Sequence, residues 1–166
     1  VIDEAYIAHV GFVVDGQPRV LPMSYGRDGD VLYLHGAVGN AMLRASAGAE
    51  VCVTITLLDG LVLARSAFHH SMNYRSVVLY GTARPVTGDE RLNAALEAFT
   101  EKLIPGRWAD VRPPTPQELK GTDILKMDLD EASLKSRSGP PSDLPEDLEL
   151  DAWSGVIPIE VKVHQP

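Results

Sequence analysis

The chain has 166 residues, 45% hydrophobic and 23% charged, and this composition excludes a disordered or low-complexity protein. Its 15 basic and 23 acidic residues give a net charge of −8, which argues against a nucleic-acid partner. No uncharged stretch approaches the roughly 20 apolar residues that cross a bilayer, so we expect no membrane partner. The one cysteine, Cys52, excludes an internal disulfide framework, and the cytoplasm is the expected location.

The first half of the chain reads as short strands separated by turns. Strands are predicted over residues 6–14, 19–25, 31–35, 51–58, 61–67 and 75–86. Turns are predicted at Asp15-Gly16, at Gly26 to Gly29 and at Asp59-Gly60. A short helix is expected within residues 36–48. Residues 68–74 form a polar break before the sixth strand. This spacing is typical of a meander or Greek-key barrel rather than of alternating strands and helices.

The second half adds helices and a wrapping loop. Thr87 to Glu90 and Thr115 to Glu118 each have the pattern of a capping box, and Pro105-Gly106 should end the first of the two helices. A half-buried strand is predicted over 124–129, a proline-rich acidic loop over 138–155, and an edge strand over 157–163. We expect residues 1–166 to form a single domain.

The acidic residues are unevenly placed. Residues 60–88 contain no Asp or Glu, although they contain Arg65, Arg75 and Arg84, whereas five acids fall within residues 143–151. An acid-free stretch of this kind can hold a small anion without repelling it. Buried strands that exclude charge would give the same pattern.

Two segments of the middle region carry polar groups suited to anion binding. One is Tyr33-Leu-His-Gly-Ala-Val-Gly-Asn40, where a strand ends in a glycine turn and opens a helix whose N–H groups can bind an anion. The other, His69 to Ser76, combines hydroxyl, amide and phenol groups with the guanidinium of Arg75. A plain strand-to-helix turn and a solvated loop are the alternatives.

Five segments of the chain resemble the FMN-binding split-barrel superfamily. Three lie in the first half: Leu-Pro-Met-Ser24, Tyr33-Leu-His-Gly-Ala37 and His-Ser-Met-Asn-Tyr-Arg-Ser-Val77. The other two are the C-terminal segments Leu134 to Pro141 and Trp153 to Pro158. The likeness is greatest to the branch of pyridoxamine 5′-phosphate oxidase and the nitroimidazole-resistance flavoproteins. It implies a mainly β, α+β fold: a six-stranded antiparallel Greek-key split barrel with a few flanking helices. The family's long first helix would lie before Val1, so it is expected to be missing here.

The resemblance implies a homodimer with FMN, or FAD, at the subunit interface, and reduction of a small molecule with NAD(P)H. The strand lining the flavin ring corresponds to Leu21, Pro22, Met23 and Ser24. The residues near the ribityl chain and phosphate correspond to Tyr33, His35, Gly36, Ala37 and Asn40. The strand closing over the flavin and the residues before it correspond to Ser71, Asn73, Tyr74, Arg75, Ser76 and Val77. Near the ring or the partner subunit, the C-terminal positions are Lys135, Arg137 and Trp153.

One departure from the family pattern affects the phosphate. Many members have a basic residue in the first helical turn, but here the first base is Arg44. The phosphate contact is therefore expected from Arg44, Arg75 or backbone N–H groups. The sequence assigns no catalytic residue and no metal.

Three alternatives to a flavin-dependent enzyme remain open. The first is a flavin-binding module for storage or sensing. The second is a haem-binding split barrel with a ligand among His35, His69 and His70, and the third is an assembly unit without a cofactor.

Overall fold

The computed structural model describes residues 1–164, in which there are ten strands and four helices. The strands are β1 (Ala8–Val14), β2 (Gln17–Met23), β3 (Tyr25–Asp28), β4 (Val31–Ala37), β5 (Glu50–Leu63), β6 (Ser71–Thr82), β7 (Arg84–Pro85), β8 (Thr122–Asp128), β9 (Glu131–Arg137) and β10 (Gly155–Pro158). The helices are α1 (Ala41–Ser46), α2 (Asp89–Leu103), α3 (Arg107–Asp110) and α4 (Pro116–Lys120). Single 3-10 turns occupy Ala67–His69 and Pro145–Glu149.

The strands form two sheets. Six of them (β1, β2, β5, β6, β9 and β10) belong to one hydrogen-bonded sheet, and β3, β4, β8 and β7 form a second sheet in that order. The pairs β1–β2, β1–β5, β3–β4, β4–β8, β7–β8 and β10–β5 are all antiparallel. The predicted class, a mainly β antiparallel fold with a few helices, is therefore observed.

The described residues divide into two compact units. The larger unit comprises Ile2–Ile55 and Val77–Ser133, and the smaller comprises Val1, Thr56–Ser76 and the chain from Leu134 onward. Strands β5 and β6 each contribute residues to both units. They are neighbours within each unit, where Thr56 Oγ1 and Ser76 Oγ lie 2.8 Å apart in the smaller one and Thr82 bonds Glu50 in the larger one.

The core of the larger unit follows from strand alternation. On β1, Ala8, Val10 and Phe12 are buried, because alternate side chains of a strand point to one face. The first hairpin has the predicted two-residue turn: Asp15 and Gly16 have φ angles of 52° and 77°, the positive values that a type I′ turn requires. This turn fixes the register in which Val14 pairs Gln17.

The predicted turn at Asp59-Gly60 is wrong. Residues 50–63 form one continuous strand, and the glycine serves a close approach instead of a turn. A Cβ on Gly60 would lie 3.0 Å from the carbonyl oxygen of Ile157 on the paired strand β10. A glycine in such a sequence is compatible with a turn or with a continuous strand that another backbone approaches closely. Only the pairing with β10 decides between these two interpretations.

Other predicted strand boundaries differ from those in the structure. Strand β6 begins at Ser71, so the polar residues predicted to lie in a loop belong to a strand. The sequence analysis did not predict strands β3 and β9. The capping box predicted at Thr87 does not form, because Gly88 is the N-cap of α2 and makes no side-chain cap bond. The box at Thr115 does form, with Glu118 Oε2 accepting from the Thr115 N–H at 2.8 Å.

Candidate functional site

The predicted site residues fall into both units, and each group is described separately. The larger unit holds Leu21, Pro22, Met23, Ser24, Tyr33, His35, Gly36, Ala37, Asn40, Arg44 and Val77. The smaller unit holds Ser71, Asn73, Tyr74, Arg75, Ser76, Arg137 and Trp153.

Strand β2 of the larger unit is an open edge. Within residues 1–164 it is the terminal strand of its sheet, pairs only with β1, and is exposed along nearly its whole length. Leu21 is 45% exposed, and Pro22 has no N–H to donate, which is tolerated at an edge strand. Backbone groups and apolar side chains of residues 21–24 are thus available to a ligand.

The side chain of His35 faces helix α2. Its ring lies 4.1 Å from the ring of Phe99, and both line a cavity of about 180 Å³. Burial lowers the pKa of His35, and its Nδ1 atom is buried without a hydrogen-bond partner. The cavity is smaller than the roughly 300 Å³ at which ligand pockets begin, so the imidazole is packed against the helix rather than open to a large ligand.

Several N–H groups of the turn after β4, where the sequence predicts an anion site, are already hydrogen-bonded within the chain. Asn40 caps α1: its side-chain oxygen accepts from the Met42 and Leu43 N–H groups at 2.9 and 3.3 Å. The N–H of Val38 donates to Gly121, and that of Arg44 donates to Asn40. Helix α1 has only six residues. These N–H groups are therefore already engaged within the chain, and Asn40 is a capping residue.

Gly36 explains why the turn is so tight. A Cβ at this position would lie 3.0 Å from Leu43 Cδ1 and 3.1 Å from Asn40 Nδ2. A side chain at this position would push on both, so the absence of a Cβ at Gly36 suits the close packing of β4 against α1.

Arg44 is the available cation of this region. It lies in the last turn of α1 with an exposed side chain. Within residues 1–164 no carboxylate forms an ion pair with it. Of the phosphate contacts expected from the sequence, the Arg44 side chain is the one left unengaged in the larger unit.

Arg75 of the smaller unit is already paired. Its Nε and Nη2 atoms donate to the two carboxylate oxygens of Asp59 at 3.0 and 2.9 Å. The stretch 60–88 contains no acid, but a carboxylate from the residue just before it reaches the guanidinium. A phosphate would first have to displace Asp59, so the expected contact at Arg75 finds no support in this geometry.

Asn73 and Arg137 join β6 to the C-terminal segment. Arg137 Nη1 donates to Asn73 Oδ1 at 2.8 Å, and Asn73 Nδ2 donates to the carbonyl of Gly139 at 3.0 Å. Because Asn73 is buried, these bonds satisfy an amide that would be costly to leave unpaired. Arg137 makes no ion pair among residues 1–164, so its guanidinium charge is available to an anionic ligand.

The remaining predicted residues differ in what they can offer. Ser71 and Tyr74 are half-buried on β6, Ser76 bonds Thr56, and Val77 is buried and offers only its backbone. Trp153 is 63% exposed, and its ring lies over Gly155, where a Cβ would come within 2.8 Å of it. Trp153 is therefore an exposed aromatic surface held in place by a glycine.

An ion pair that the sequence analysis missed anchors the acidic loop. Asp143 accepts from the Arg65 N–H at 2.8 Å and from Arg65 Nη1 at 2.7 Å. Arg65 Nη1 also donates to Ser154 Oγ at 2.7 Å. The sequence holds only a weak signal for this contact: an arginine in an acid-free stretch and an acidic cluster elsewhere in the chain. The two partners are 78 residues apart, so no local pattern pairs them.

We expect this anchor to be lost at acid pH. The Arg65 N–H, above all, holds the pKa of Asp143 below its ordinary value of 3.8. A carboxyl group whose pKa is lower in the folded than in the unfolded state stabilises the folded state. This stabilisation is complete at pH values above the ordinary pKa, and it is lost as the pH falls through the folded-state pKa. Limited proteolysis across a pH series from 7 downward should show cleavage of the loop only at pH values below 3.8.

The matched variants separate this anchor from general acid unfolding. Asp143→Asn should make the loop protease-sensitive at pH 7, whereas Asp151→Asn, at an exposed position, should behave like the parent protein. Equal cleavage of both variants at pH 7 would contradict the proposed anchoring role.

The histidines of the smaller unit differ in their ability to bind a metal. His70 Nδ1 accepts from the Ala64 N–H at 2.9 Å, which places the ring proton of the neutral imidazole on Nε2 and leaves no free lone pair. His69 is half-buried, and its ring meets that of Phe68 edge-on at 5.3 Å. Phe68 is 88% exposed. His69 thus lies beside an exposed apolar ring, and within residues 1–164 no hydrogen bond engages its side chain.

Two searches over residues 1–164 complete the description. No cluster of three or more His, Cys, Asp or Glu side chains is placed to hold a metal ion. No helix in this range is both long and apolar enough to span a bilayer.

Comparisons with known proteins give close structural relatives. The FAD and haem binding protein from Mycobacterium smegmatis is 40% identical, with a TM-score of 0.93 over 99% of this chain and 82% of that one. The flavocytochrome Anf3 from Azotobacter vinelandii is 39% identical, with a TM-score of 0.91 over 100% of this chain and 78% of that one. No curated protein matches the sequence.

A more distant structure agrees in fold alone. A protein described as a 5-nitroimidazole antibiotic resistance protein from Bacteroides thetaiotaomicron is 23% identical, with a TM-score of 0.67 over 81% of this chain and 78% of that one. The split-barrel class predicted from the sequence is thereby confirmed.

The family model described as pyridoxamine 5′-phosphate oxidase matches residues 1–136, which is most of the chain. This match and the two relatives near 40% identity confirm the family resemblance seen in the sequence. The chain belongs to the pyridoxamine 5′-phosphate oxidase family.

Proposed function

We propose that this chain binds a flavin nucleotide and is a flavin-dependent oxidoreductase that reduces a small molecule with NAD(P)H as a donor. One observation carries the proposal: a FAD and haem binding protein is 40% identical over 99% of the chain. The name of this relative favours FAD, whereas the sequence resemblance led us to expect FMN. Both flavins share the ring, the ribityl chain and the first phosphate.

The residues of the larger unit fit the flavin half of either cofactor. The open edge of β2 offers backbone groups for the polar side of the ring and Leu21 for its face. Arg44 offers an unpaired cation for a phosphate. Arg137 offers a second cation in the smaller unit.

A bound flavin would supply the electron-transfer chemistry, and the protein's part is to bind and orient it. His35 is packed against Phe99, and burial lowers its pKa. We therefore do not assign it as the acid or base of the reaction.

The test is the visible spectrum of the purified protein with added FMN or FAD. We expect a flavin spectrum that stays with the protein through gel filtration, and a Kd below about 100 μM (roughly −5.5 kcal/mol) for at least one flavin. NAD(P)H should then bleach the bound flavin with steady turnover in air. Bound flavin without turnover would favour a storage or sensing module, and no binding would refute the proposal.

The proposed assembly is a homodimer in the cytoplasm with flavin at the subunit interface. The outer face of the larger unit's sheet supports a second copy, since Val13, Val20 and Tyr80 are 59%, 63% and 44% exposed there. An apolar face of this kind is typical of an interaction surface. Light scattering during gel filtration should give twice the chain mass of 18.0 kDa, and a monomer would contradict the assembly.

Haem binding is a second candidate function, favoured by the names of both close relatives and by the surroundings of His69. Its open imidazole beside the exposed Phe68 ring combines an iron ligand with an apolar contact. We expect added haemin to give a Soret band that His69→Ala abolishes and that His9→Ala, at an exposed strand position, retains. A band unchanged in His69→Ala would assign the ligand elsewhere.

A further inference from the structure

The small cavity beside His35 in the larger unit is walled mainly by aromatic rings. Its volume is about 180 Å³, and the rings of Tyr6, Tyr25, His35 and Phe99 line it together with apolar side chains of helix α2. Tyr25 and Phe99 are only 2% and 7% exposed, so these two walls belong to the core. Nucleotide-sized sites are larger, from roughly 300 Å³, whereas a cavity of about 150 Å³ is enough to bind benzene. A single aromatic ring is therefore the size of ligand that fits.

The N-terminal segment forms a fixed side of this cavity. Tyr25 Oη donates to the carbonyl oxygens of Ile2 and Ala5 at 2.6 and 2.8 Å. Lys102 Nζ donates to the Ile2 oxygen at 2.9 Å. These bonds tie the segment before Tyr6 to β3 and to α2. A site whose walls are already held in place loses less conformational entropy when a ligand binds.

Some polar groups of the lining are engaged within the chain. The Tyr25 hydroxyl and the Lys102 ammonium donate to these backbone carbonyls, and the Thr100 hydroxyl donates to the carbonyl of Leu96 at 2.9 Å. The Lys102 ammonium also lies 4.5 Å from the centre of the Tyr25 ring. Because this cation lines the cavity, it disfavours a positively charged ligand.

His35 brings an unpartnered polar group to the lining. Its Nδ1 atom is buried without a hydrogen bond, and within residues 1–164 no hydrogen bond engages its accessible Nε2 atom. A hydroxyl group can both donate and accept, so a ligand hydroxyl can bond Nε2 in either tautomer of the ring. A ligand that makes this bond also removes the cost of leaving a half-buried polar group unpaired.

We propose that this cavity binds a one-ring phenol, with the hydroxyl on His35 Nε2 and the ring against Tyr25 and Phe99. Aromatic rings gain from edge and offset contacts with other rings, which an aliphatic ligand does not make. A phenol is uncharged, so it avoids the repulsion that Lys102 exerts on a cation. The cavity is too small to hold a flavin, and the proposal goes beyond the proposed function and does not depend on it.

The experiment measures the Kd of phenol and of benzene by NMR titration of the full chain. Phenol should bind the parent protein with a Kd below about 1 mM. Benzene lacks the hydroxyl and should bind about tenfold more weakly. His35→Phe keeps an aromatic ring and removes the nitrogen, so phenol should bind about tenfold more weakly while the Kd of benzene stays within about threefold.

Leu96→Phe tests the location of the site. Leu96 is half-buried and lines the cavity, and the larger side chain would occupy part of its volume, so phenol should bind about tenfold more weakly. Leu92→Phe is the matched control, because Leu92 is also half-buried, lies one turn earlier on α2 and does not line this cavity. His9→Phe, at an exposed position of β1, is the control for His35→Phe. Both controls should bind phenol like the parent protein.

The outcomes decide the proposal without reference to flavin binding. A phenol Kd above about 1 mM in the parent protein, or equal affinities for phenol and benzene, would overturn it. Unchanged phenol binding in His35→Phe or in Leu96→Phe, or equal losses in the control variants, would also overturn it. Circular dichroism shows which variants are folded, and if one of the two cavity variants is not, the other decides together with the comparison of phenol and benzene.

Discussion

Replacing Arg44 by alanine should weaken the binding of both FMN and FAD by about ten- to a hundredfold. A hydrogen bond to a charged group contributes roughly 1.5–3 kcal/mol, and a tenfold change in Kd corresponds to about 1.4 kcal/mol. The effect should be large because Arg75, the other side chain expected at the phosphate, is held by Asp59. Flavin fluorescence titration at fixed ionic strength measures it.

Arg107→Ala is the matched control for this prediction. Arg107 is an exposed arginine of α3, and its loss changes the net charge equally. The control should bind flavin within about twofold of the parent protein. An equal loss of flavin affinity in the two variants would mean that only the net charge of the protein affects phosphate binding. Arg44 would then have no specific role at the phosphate.

Replacing Leu34 by alanine should cost about 2–5 kcal/mol of the free energy of unfolding, the range found for buried leucines that leave a cavity. Leu34 is 1% exposed at the centre of β4, where it pairs Tyr25 on one side and Leu125 on the other. A small protein has only about 5–15 kcal/mol of stability in total, so the variant should be near the limit of folding. Urea unfolding followed by circular dichroism measures the change.

Leu103→Ala tests whether burial is the cause. Leu103 ends α2 with 56% of its surface exposed, and surface substitutions usually change stability by less than about 0.5 kcal/mol. A comparable loss in both variants would show that leucine content, and not packing beneath the sheet, controls the stability.

The strand pattern could be predicted because it is local. Asp15-Gly16 specifies a type I′ turn by its own backbone preferences, and Thr115 with Glu118 closes a capping box within four residues. Gly60 and Ser71 misled the prediction for the opposite reason. What Gly60 does depends on a strand about a hundred residues later, and a polar segment such as Ser71 to Ser76 is a strand only because β5 pairs with it.

The candidate site could be predicted only as a set of residue types. The sequence pointed to Arg44 and Arg75 as alternatives for a phosphate, but the Asp59 pair that occupies Arg75 is a matter of register. Asn40 was expected near the phosphate, whereas its side chain caps the helix that follows.

The prolines of strand β2 have a consequence for solubility. The strand is an exposed sheet edge that carries Val20 and Leu21, and such edges can recruit further copies into fibres. Pro18 and Pro22 interrupt its row of donors, so a misaligned copy cannot extend the ladder there. The strand can stay open for recognition without becoming a template for amyloid growth.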